Sequence, residues 1–596
     1  MHPYGSGEGS SSALEQRIRP DDGRQTMDTL RRHLQSIDGR GYKAYQILEG
    51  RYAFPSFVLA VDHVQGDPFA DPSKVRVIVP RAKTAVRDDW IQTPWRRIRC
   101  EDVLARRVHE ALRKLARRAR GTGKSGLIAI DAPGQKVIER TAVQIGKDEI
   151  VICLSVGLPA DGRRVLAREA AIMLLEQIPA VVERAVFGVR EADIRPAVEL
   201  ADQQQAIRQY LREHGLVAFV ANGSILPRES GVSDRPLREG AVPFHSPPQL
   251  EVAIPVPHRE EPIRGMGIRR GITLIVGGGF HGKTTLLQAI EHGVYDHVAG
   301  DGREFVITDS GAVKIRAEDG RSVADVDISP LIGTLPHGKA TTRFSTENAS
   351  GSTSQAAGLI EMMEAGATAF LIDEDTSATN LLVRDARMQA LVAKSGEPIT
   401  PYLDKARQLL DEYGISTIMV AGGLGDYLDI ADCVIKMDAY IPHDVTDEAK
   451  RIAAAIPTAR RPEGGPSFGA IHHRVPQPDS LNSQRGNKAK VAARGRHAIQ
   501  YGTTDIDLHA LEQLVDDSQT RAIAAALFYM ERRGWLTKGL TVREILDALE
   551  AQWDRDGLGS ISLRQGHPGD LARPRRYELA AALNRLRTLR CAQREG

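Results

Sequence analysis

Lys283 and Thr284 close the run Gly277-Gly278-Gly279-Phe280-His281-Gly282-Lys283-Thr284, which has the G-x-x-x-x-G-K-[ST] spacing of a phosphate loop. Glycines let such a loop curl until its N–H groups face a phosphate, and a helix that opens behind it adds a favourable dipole. Lys283 would bridge the terminal phosphates of a nucleoside triphosphate, and the Thr284 hydroxyl, followed by Thr285, would ligate Mg²⁺. Further on, Ala369-Phe370-Leu371-Ile372-Asp373-Glu374 is an apolar run ending in two acids. Asp373, delivered to the edge of a sheet, can hold Mg²⁺ beside the loop hydroxyl, and Glu374 is placed to polarise an attacking water.

These groups need a scaffold that brings them to one edge. Ile272–Val276 reads as the strand before the loop and Thr285–Ile290 as the helix after it. Ala369–Ile372, Ser416–Ala421 and Cys433–Met437 are further short apolar strands separated by helical stretches. That alternation implies a mostly parallel sheet covered on both faces.

A second Gly-Lys-Ser, at Gly123-Lys124-Ser125, lacks the first glycine of the motif, because position 118 is Arg118. A basic helix precedes it and a strand follows, the reverse of a phosphate-loop order. It reads as a loop touching phosphate or nucleic acid, or as a solvated turn. Residues 96–124 hold eleven Lys and Arg against three acids. On a helix over 101–120, Arg106, Arg113, Arg117 and Arg120 fall on roughly one face, with Lys124 just beyond. A second basic cluster, Arg485, Lys488, Lys490, Arg494 and Arg496, lies in an acid-free stretch. Both read as phosphate-tracking surfaces with steep salt dependence. RNA is the expected partner and DNA the alternative, against a bland reading as a solvated helix face and a soluble linker.

The 596 residues suggest about four compact units. With 79 Lys and Arg against 77 Asp and Glu the net charge is +2, which excludes a strongly basic coat protein but not local patches. Aromatic residues at 5% exclude a long base-stacking platform. No apolar run approaches the ~18–20 residues of a membrane helix. The Gly- and Ser-rich start reads as a disordered tail rather than a signal peptide, and a cytoplasmic location is expected. Four separated cysteines indicate neither a zinc site nor a disulfide framework. The expected organisation is a tail over 1–26, an N-terminal α/β domain over 27–242, a P-loop core over 243–456, a basic linker over 457–500 and a helical C-terminal domain over 501–596. Within the first domain the spacing predicts strands at 57–61, 75–79, 126–131 and 150–156 and helices at 27–37, 101–120 and 164–183. In the last it predicts helices over 508–532 and 541–552.

Asp375-Thr376-Ser377-Ala378-Thr379-Asn380 resembles the D-E-P-T-S-A-L-D run of ABC ATPases, from which Asp375 departs by replacing Pro. Ser350, in Ala349-Ser350-Gly351-Ser352-Thr353-Ser354-Gln355, stands where that class carries its L-S-G-G-Q signature loop at the start of a helix. Together with Asp62–Ala70, Phe219–Gly231, Gly422–Tyr427 and Glu512–Ile523, these motifs make the chain similar, from about residue 40 to 530, to the family of soluble ATPases of the ABC class. The resemblance implies an α/β fold with an ABC-type P-loop ATPase core, added N- and C-terminal domains and no membrane subunit. It implies ATP and Mg²⁺ as cofactors and a homodimer in which Ser350 and Gly351 of one subunit face the ATP of the other. Part of the family is connected with RNA, and the function expected is an ATP-gated dimeric clamp on RNA with Glu374 as catalytic base. Two departures favour slow or partner-dependent turnover. Val420–Asp426 contains no His, and no glutamine marks a Q-loop, for which Asp327 and Ser329 are the stand-ins. The alternative is a nucleotide-switched protein-binding scaffold with little turnover, and behind it a transporter's nucleotide-binding subunit.

Overall fold

Apolar strands build the first sheet. In the computed structural model, which describes residues 25–115, 120–335, 338, 340–562 and 566–594, the strand β1 (Val58–His63) buries Leu59, Ala60 and Val61 in succession, and β2 (Ser73–Pro80) alternates buried and half-buried residues from Ser73 to Val77. β2 pairs antiparallel with both β1 and β3 (Glu149–Val156), with Val75 opposite Leu154. The long helix α1 (Pro94–Leu115) covers one face of this sheet, and Leu104 and Val108 share its apolar core with Val77 and Ile152. The expected helix over 101–120 therefore begins earlier, with Pro94 as its first residue. The expected strand at 126–131 shrinks to Ile128–Ala129, because Gly126 takes a positive φ of 80°. Residues 1–24 of the expected tail lie outside the described residues; Gln25–Thr26 add a short parallel strand to the sheet edge.

Helix α2 (Glu191–Glu213) leads to β4 (Leu216–Ala221), all six of whose residues are buried. The sequence places β4 with the N-terminal domain. It pairs instead with β5 (Ile263–Arg269) and with Val306–Thr308, in an antiparallel sheet beside the P-loop core. A strand apolar on both faces needs cover on both sides: Leu216, Phe219 and Ala221 share a cluster with Ile207 and Leu211 of α2, and Val217, Ala218 and Val220 one with Leu286 and Ile290.

The core sheet runs β7 (Ala312–Ile315), β8 (Ala369–Asp373), β9 (Ser416–Val420), β6 (Ile272–Val276), β10 (Cys433–Asp438) and β11 (Ile441–Asp444), parallel except for the last pair. Side chains alternate across it. Ile275, Leu371, Ile418 and Val420 meet Leu286, Leu287 and Ile290 of α3 (Lys283–His292). Ile272, Leu274, Phe370, Ile372 and Met419 face the other way, towards Leu359 and Met363 of α4 (Gly351–Glu364). The C-terminal helices α5 (Asp517–Arg532), α6 (Val542–Asp556) and α7 (Arg576–Asn584) contribute Ile523, Leu527, Leu549, Trp553 and Leu583 to that same apolar cluster. They are thus built into the ATPase-like core rather than tethered to it.

Residues 457–500, expected as linker, carry strands at Arg474–Pro476, Val491–Ala493 and Ala498–Tyr501. Arg474 is fully buried against Glu364 of α4, a charge-assisted contact that no linker makes. Residues 508–516 are not the start of a helix either, because Asp516 accepts from Ser518 N–H and caps α5 one residue later.

The chain returns to its N-terminal sheet over residues 567–573, where Thr141 N–H donates to Leu571 O at 3.0 Å and Arg573 N–H to Glu139 O at 2.9 Å. His567 is buried there, its Nε2 donating to Leu154 O at 3.1 Å while its Nδ1 accepts from Gly569 N–H at 3.2 Å. That neutral tautomer is enforced by burial, with Lys74 nearby, and the imidazole pKa falls from 6.5 to about 4. A depressed histidine binds fewer protons folded than unfolded. Stability is therefore full above pH ~6.5 and declines as pH falls towards ~4, by up to about 3 kcal/mol. His567→Gln, which keeps one donor and one acceptor, is expected to flatten the fall in Tm between pH 7 and pH 5. An unchanged slope in thermal melts would show that other groups carry it.

Candidate nucleotide-binding site

Asp373, Val420 and Ile275 lie level across three neighbouring parallel strands, so the loop after β6 and the acids ending β8 emerge at one sheet edge. That edge, at the carboxyl ends of the strands, is where open α/β sheets bind ligands. The loop needs its glycines at two places. Gly277 has φ 139°, and a Cβ there would stand 2.4 Å from Met437 O; Gly282 has φ 96°, and a Cβ would come within 2.8 Å of the Tyr440 ring. α3 starts at Lys283, and its first N–H groups, including those of Lys283, Thr284 and Thr285, have no partner one turn earlier in the helix. Those are the donors a phosphate takes. Lys283 Nζ lies 2.8 Å from the carbonyls of Gly277 and Gly278, folded over the loop it would share with a phosphate. Gly278, Gly279 and Thr284 are exposed, and the Phe280 ring is 99% exposed on a backbone with φ 64°.

His281 has a bracing role. Its Nδ1 accepts from Ala439 N–H at 2.9 Å and its carbonyl from Tyr440 N–H at 3.1 Å. Ala439 and Tyr440 form the β10–β11 turn with both φ values positive, as a tight two-residue hairpin requires. The hairpin thus clamps the loop from the side.

Asp373 is buried, its Oδ1 accepting from Asp375 N–H at 3.2 Å. Burial pushes its carboxyl above the usual range, and the Lys314 ammonium opposes that shift. A buried carboxylate and a threonine hydroxyl are hard oxygen donors, the chemistry that suits Mg²⁺ with its retained waters. Glu374 points its Oε2 at two backbone donors, Gly422 N–H at 2.6 Å and Gly423 N–H at 3.0 Å. In the sequence these glycines stand out as a family motif and as part of a stretch without a histidine; the structure makes them the holder of Glu374.

Ser350 caps α4 at the surface, its Oγ 3.0 Å from Thr353 Oγ1. Gly351 packs near Ala317 and Ala378. Gln355, one turn into α4, accepts from Ala378 N–H at 2.8 Å and donates to Ser377 Oγ at 3.0 Å, which donates to Asp373 O at 2.8 Å. The serine-rich helix start and the acidic turn are therefore one hydrogen-bonded piece. Asp327 accepts from Ser329 N–H at 3.0 Å and faces His472 at 3.4 Å, a local turn contact.

Two further residues stand behind the site, Lys314 with no mark in the sequence and Gln513 within the Glu512–Ile523 motif. Lys314, buried on β7, lies 3.7 Å from Glu291 of α3 and 3.6 Å from Glu512. Gln513 fills its amide with Lys314 N–H, Arg575, Glu291 O and Ala312 O. No local pattern reveals such pairs, because their partners are far apart in the chain.

Several cations of residues 96–124 are paired internally. Arg106 binds Asp102, Arg107 reaches Asp193 at 2.9 Å, and Arg97 bridges Glu101 and Glu139. Arg113 and Arg120 are exposed, and Arg117 lies outside the described residues. Lys124 is 3.3 Å from Asp71. The N–H groups of Thr122, Lys124 and Gly126 go to the carbonyls of Ala160, Pro68 and Gly157, so that loop cradles no phosphate. Lys488 and Lys490 are exposed in a hairpin, and Arg494 donates to Gln500 at 2.7 Å. Among the described residues no helix is long and apolar enough to cross a membrane.

Three family models match in succession. The N-terminal model of ATPases of the ABC class covers residues 27–189, the P-loop domain of the ABC ATPase family 190–474, and the MRB1590 C-terminal domain 490–592. An uncharacterized protein, MJ1628 of Methanocaldococcus jannaschii, is 37% identical over 188 residues, 30% of this chain and 42% of the relative. The chain thus spans less than half of that relative's length. Solved structures similar to it include the ADP conformation of MJ1267, an ATP-binding cassette of an ABC transporter (11% identity, 40% of this chain and 95% of that one, TM-score 0.24). Another is cbiO1 from Clostridium perfringens, part of the transporter complex cbiONQ (13% identity, 41% and 96%, TM-score 0.24). With its phosphate loop, its strand-end acids and the two ABC-class models covering 27–474, the chain belongs to the family of ABC-class P-loop ATPases.

Proposed function

We propose that this protein hydrolyses ATP as a cytoplasmic, ATP-gated dimeric clamp acting on RNA. The observation that carries the ATPase reading is the carboxylate of Glu374, next to Asp373 and level with the phosphate loop, held in place by two backbone N–H groups. Lys283 and the first N–H groups of α3 bind and orient the phosphates. Thr284 and Asp373 would hold Mg²⁺, which would supply neutralisation of phosphate charge. Glu374 takes the proton of the attacking water. The surface position of Ser350 and Gly351 supports a sandwich, in which the start of α4 in one copy meets the γ-phosphate held by the other. The exposed Lys488, Lys490 and Arg494 support the nucleic-acid half.

Ser350→Arg puts a bulky cation at that helix start. It is expected to leave ATP affinity within about twofold while abolishing ATP-induced dimers in light scattering and lowering turnover by at least about tenfold. An active, dimerising variant would reduce Ser350 to a helix cap. The whole reading is tested by steady-state phosphate release with and without single-stranded RNA. RNA-stimulated turnover supports it. Bound ATP with negligible turnover in every condition would favour a nucleotide-switched scaffold, a reading that the histidine-free loop Val420–Asp426 supports.

A further inference from the structure

β7 ends level with β8, Ile315 opposite Ile372, so the chain leaves the sheet at Arg316 on the edge that carries Asp373. The next residues, 316–322, belong to no helix or strand, yet hydrogen bonds fasten them to two parts of the nucleotide site. Ala317 N–H donates to Thr376 O at 2.9 Å, and Thr376 Oγ1 donates to Asp373 O at 3.3 Å. Glu318 N–H donates to Ser354 Oγ at 2.8 Å, and that hydroxyl donates to Gly351 O at 2.9 Å. Gly320 N–H donates to Ala349 O and Ala349 N–H to Arg321 O, both at 2.8 Å. The segment therefore holds the acidic turn through Ala317 and the start of α4 through the residues that follow.

A second grip on it comes from the C-terminal helices. Arg585, which follows α7, forms a two-point pair with Glu318, its Nε donating to Oε2 at 3.1 Å and a terminal nitrogen to Oε1. Both side chains are largely buried. Burial alone would raise the Glu318 carboxyl, but Arg585 and Arg321 outweigh it and hold it below the usual range. Arg587 donates to Glu347 O at 2.9 Å and to Gly320 O at 3.2 Å. Apolar packing does little to place the segment. Its only apolar side chain is Ala317, and a cleft of about 590 Å³, lined by Asp319, Asp505, Asp507, His509 and Arg587, lies beside it. A buried ion pair adds little net stability over an apolar replacement. What a two-point arginine–carboxylate contact fixes is position.

We propose that Glu318 and Arg585 are positioning residues of the ATPase site, through which the C-terminal helices hold the start of α4 and the Asp373–Glu374 turn in place for hydrolysis. Their connections run to Ser354, Gly351 and Thr376 and bypass the phosphate loop, so they act on the hydrolytic step and leave ATP binding alone. The proposal rests on the ATPase reading above and adds a control point outside the core sheet, since a displacement of α7 carries the segment with it.

The test is steady-state phosphate release and ATP titration with the full chain. Arg585→Ala is expected to lower kcat at least about tenfold while KM and the Kd for ATP stay within about twofold, the signature of misplaced catalytic groups rather than lost binding. Glu318→Ala combined with Arg585→Ala leaves no unpaired charge buried. That double variant is expected to be as slow as the single one, and it carries the test if thermal melts show Arg585→Ala alone to be unfolded. Arg585→Lys, which keeps the charge but not the fork, is expected to recover part of the rate. Hydrogen–deuterium exchange of the ATP-free proteins gives a readout independent of turnover, with faster exchange over 349–356 and 374–378 in the alanine variants and no change over 277–285. Folded alanine variants with wild-type kcat, or with kcat and ATP affinity lost together, would overturn the positioning role and leave the ATPase reading standing. A wild type that releases no phosphate, indistinguishable from Glu374→Gln, would remove the ATPase reading and this proposal with it.

Discussion

Glu374→Gln is expected to bind ATP as tightly as the wild type and to hydrolyse it at least about a hundredfold more slowly, the contribution a positioned general base makes. The substitution isolates the chemistry because the amide oxygen can still accept the N–H groups of Gly422 and Gly423, at 2.6 and 3.0 Å in the wild type. The local structure is thereby preserved. What disappears is the negative charge that draws a proton from the attacking water. Phosphate release at saturating ATP and Mg²⁺ reads the rate, and light scattering of the same sample reads dimers that accumulate because hydrolysis no longer reopens them. A variant with wild-type turnover would remove Glu374 from the catalytic role. A monomeric variant with ATP bound would remove the sandwich and leave the base in place.

Lys283→Ala is expected to weaken ATP binding about a hundredfold. Truncating one partner of a desolvated charge pair costs on the order of 3 kcal/mol, and each 1.4 kcal/mol is tenfold in affinity. The protein without nucleotide should tolerate the change, with a stability loss below about 1 kcal/mol. The two hydrogen bonds of Nζ go to Gly277 O and Gly278 O in a partly exposed loop, where water can replace them. The most direct readout is thermal shift. At a ligand concentration of 100 times Kd the wild type gains about 2.7 kcal/mol of stability, and the variant at the same concentration should gain about a sixth of that. An equal shift in both proteins would contradict the phosphate-loop assignment.

Much of the nucleotide site is legible in the sequence because its chemistry is local. Eight consecutive residues specify the loop, and a strand that ends in two acids needs no distant partner to be recognised. The parallel sheet is legible for the same reason, from short apolar runs such as Ile272–Val276 and Ala369–Asp373. Elsewhere the local sequence is ambiguous. The arginines of α1 look like one cationic run, and only the folded chain reveals that Arg107 pairs with Asp193 of α2 and Arg97 with Glu139. The Pro-, Gly- and Arg-rich stretch 457–500 looks like linker, yet Arg474 within it is buried against Glu364 of α4.

Neighbouring residues are thus enough to specify the phosphate loop, the order of strand and helix around it, and the identity of the two acids, since continuous apolar runs and glycine-specific backbone angles are written over a few positions. Two features needed the folded chain: that Gly422 and Gly423 hold Glu374, and that Gln355 ties the Ser350 helix to the Asp373 turn. One cause underlies both. Each depends on a hydrogen bond or close approach between segments tens of residues apart, and the energy of such an approach appears in no local propensity.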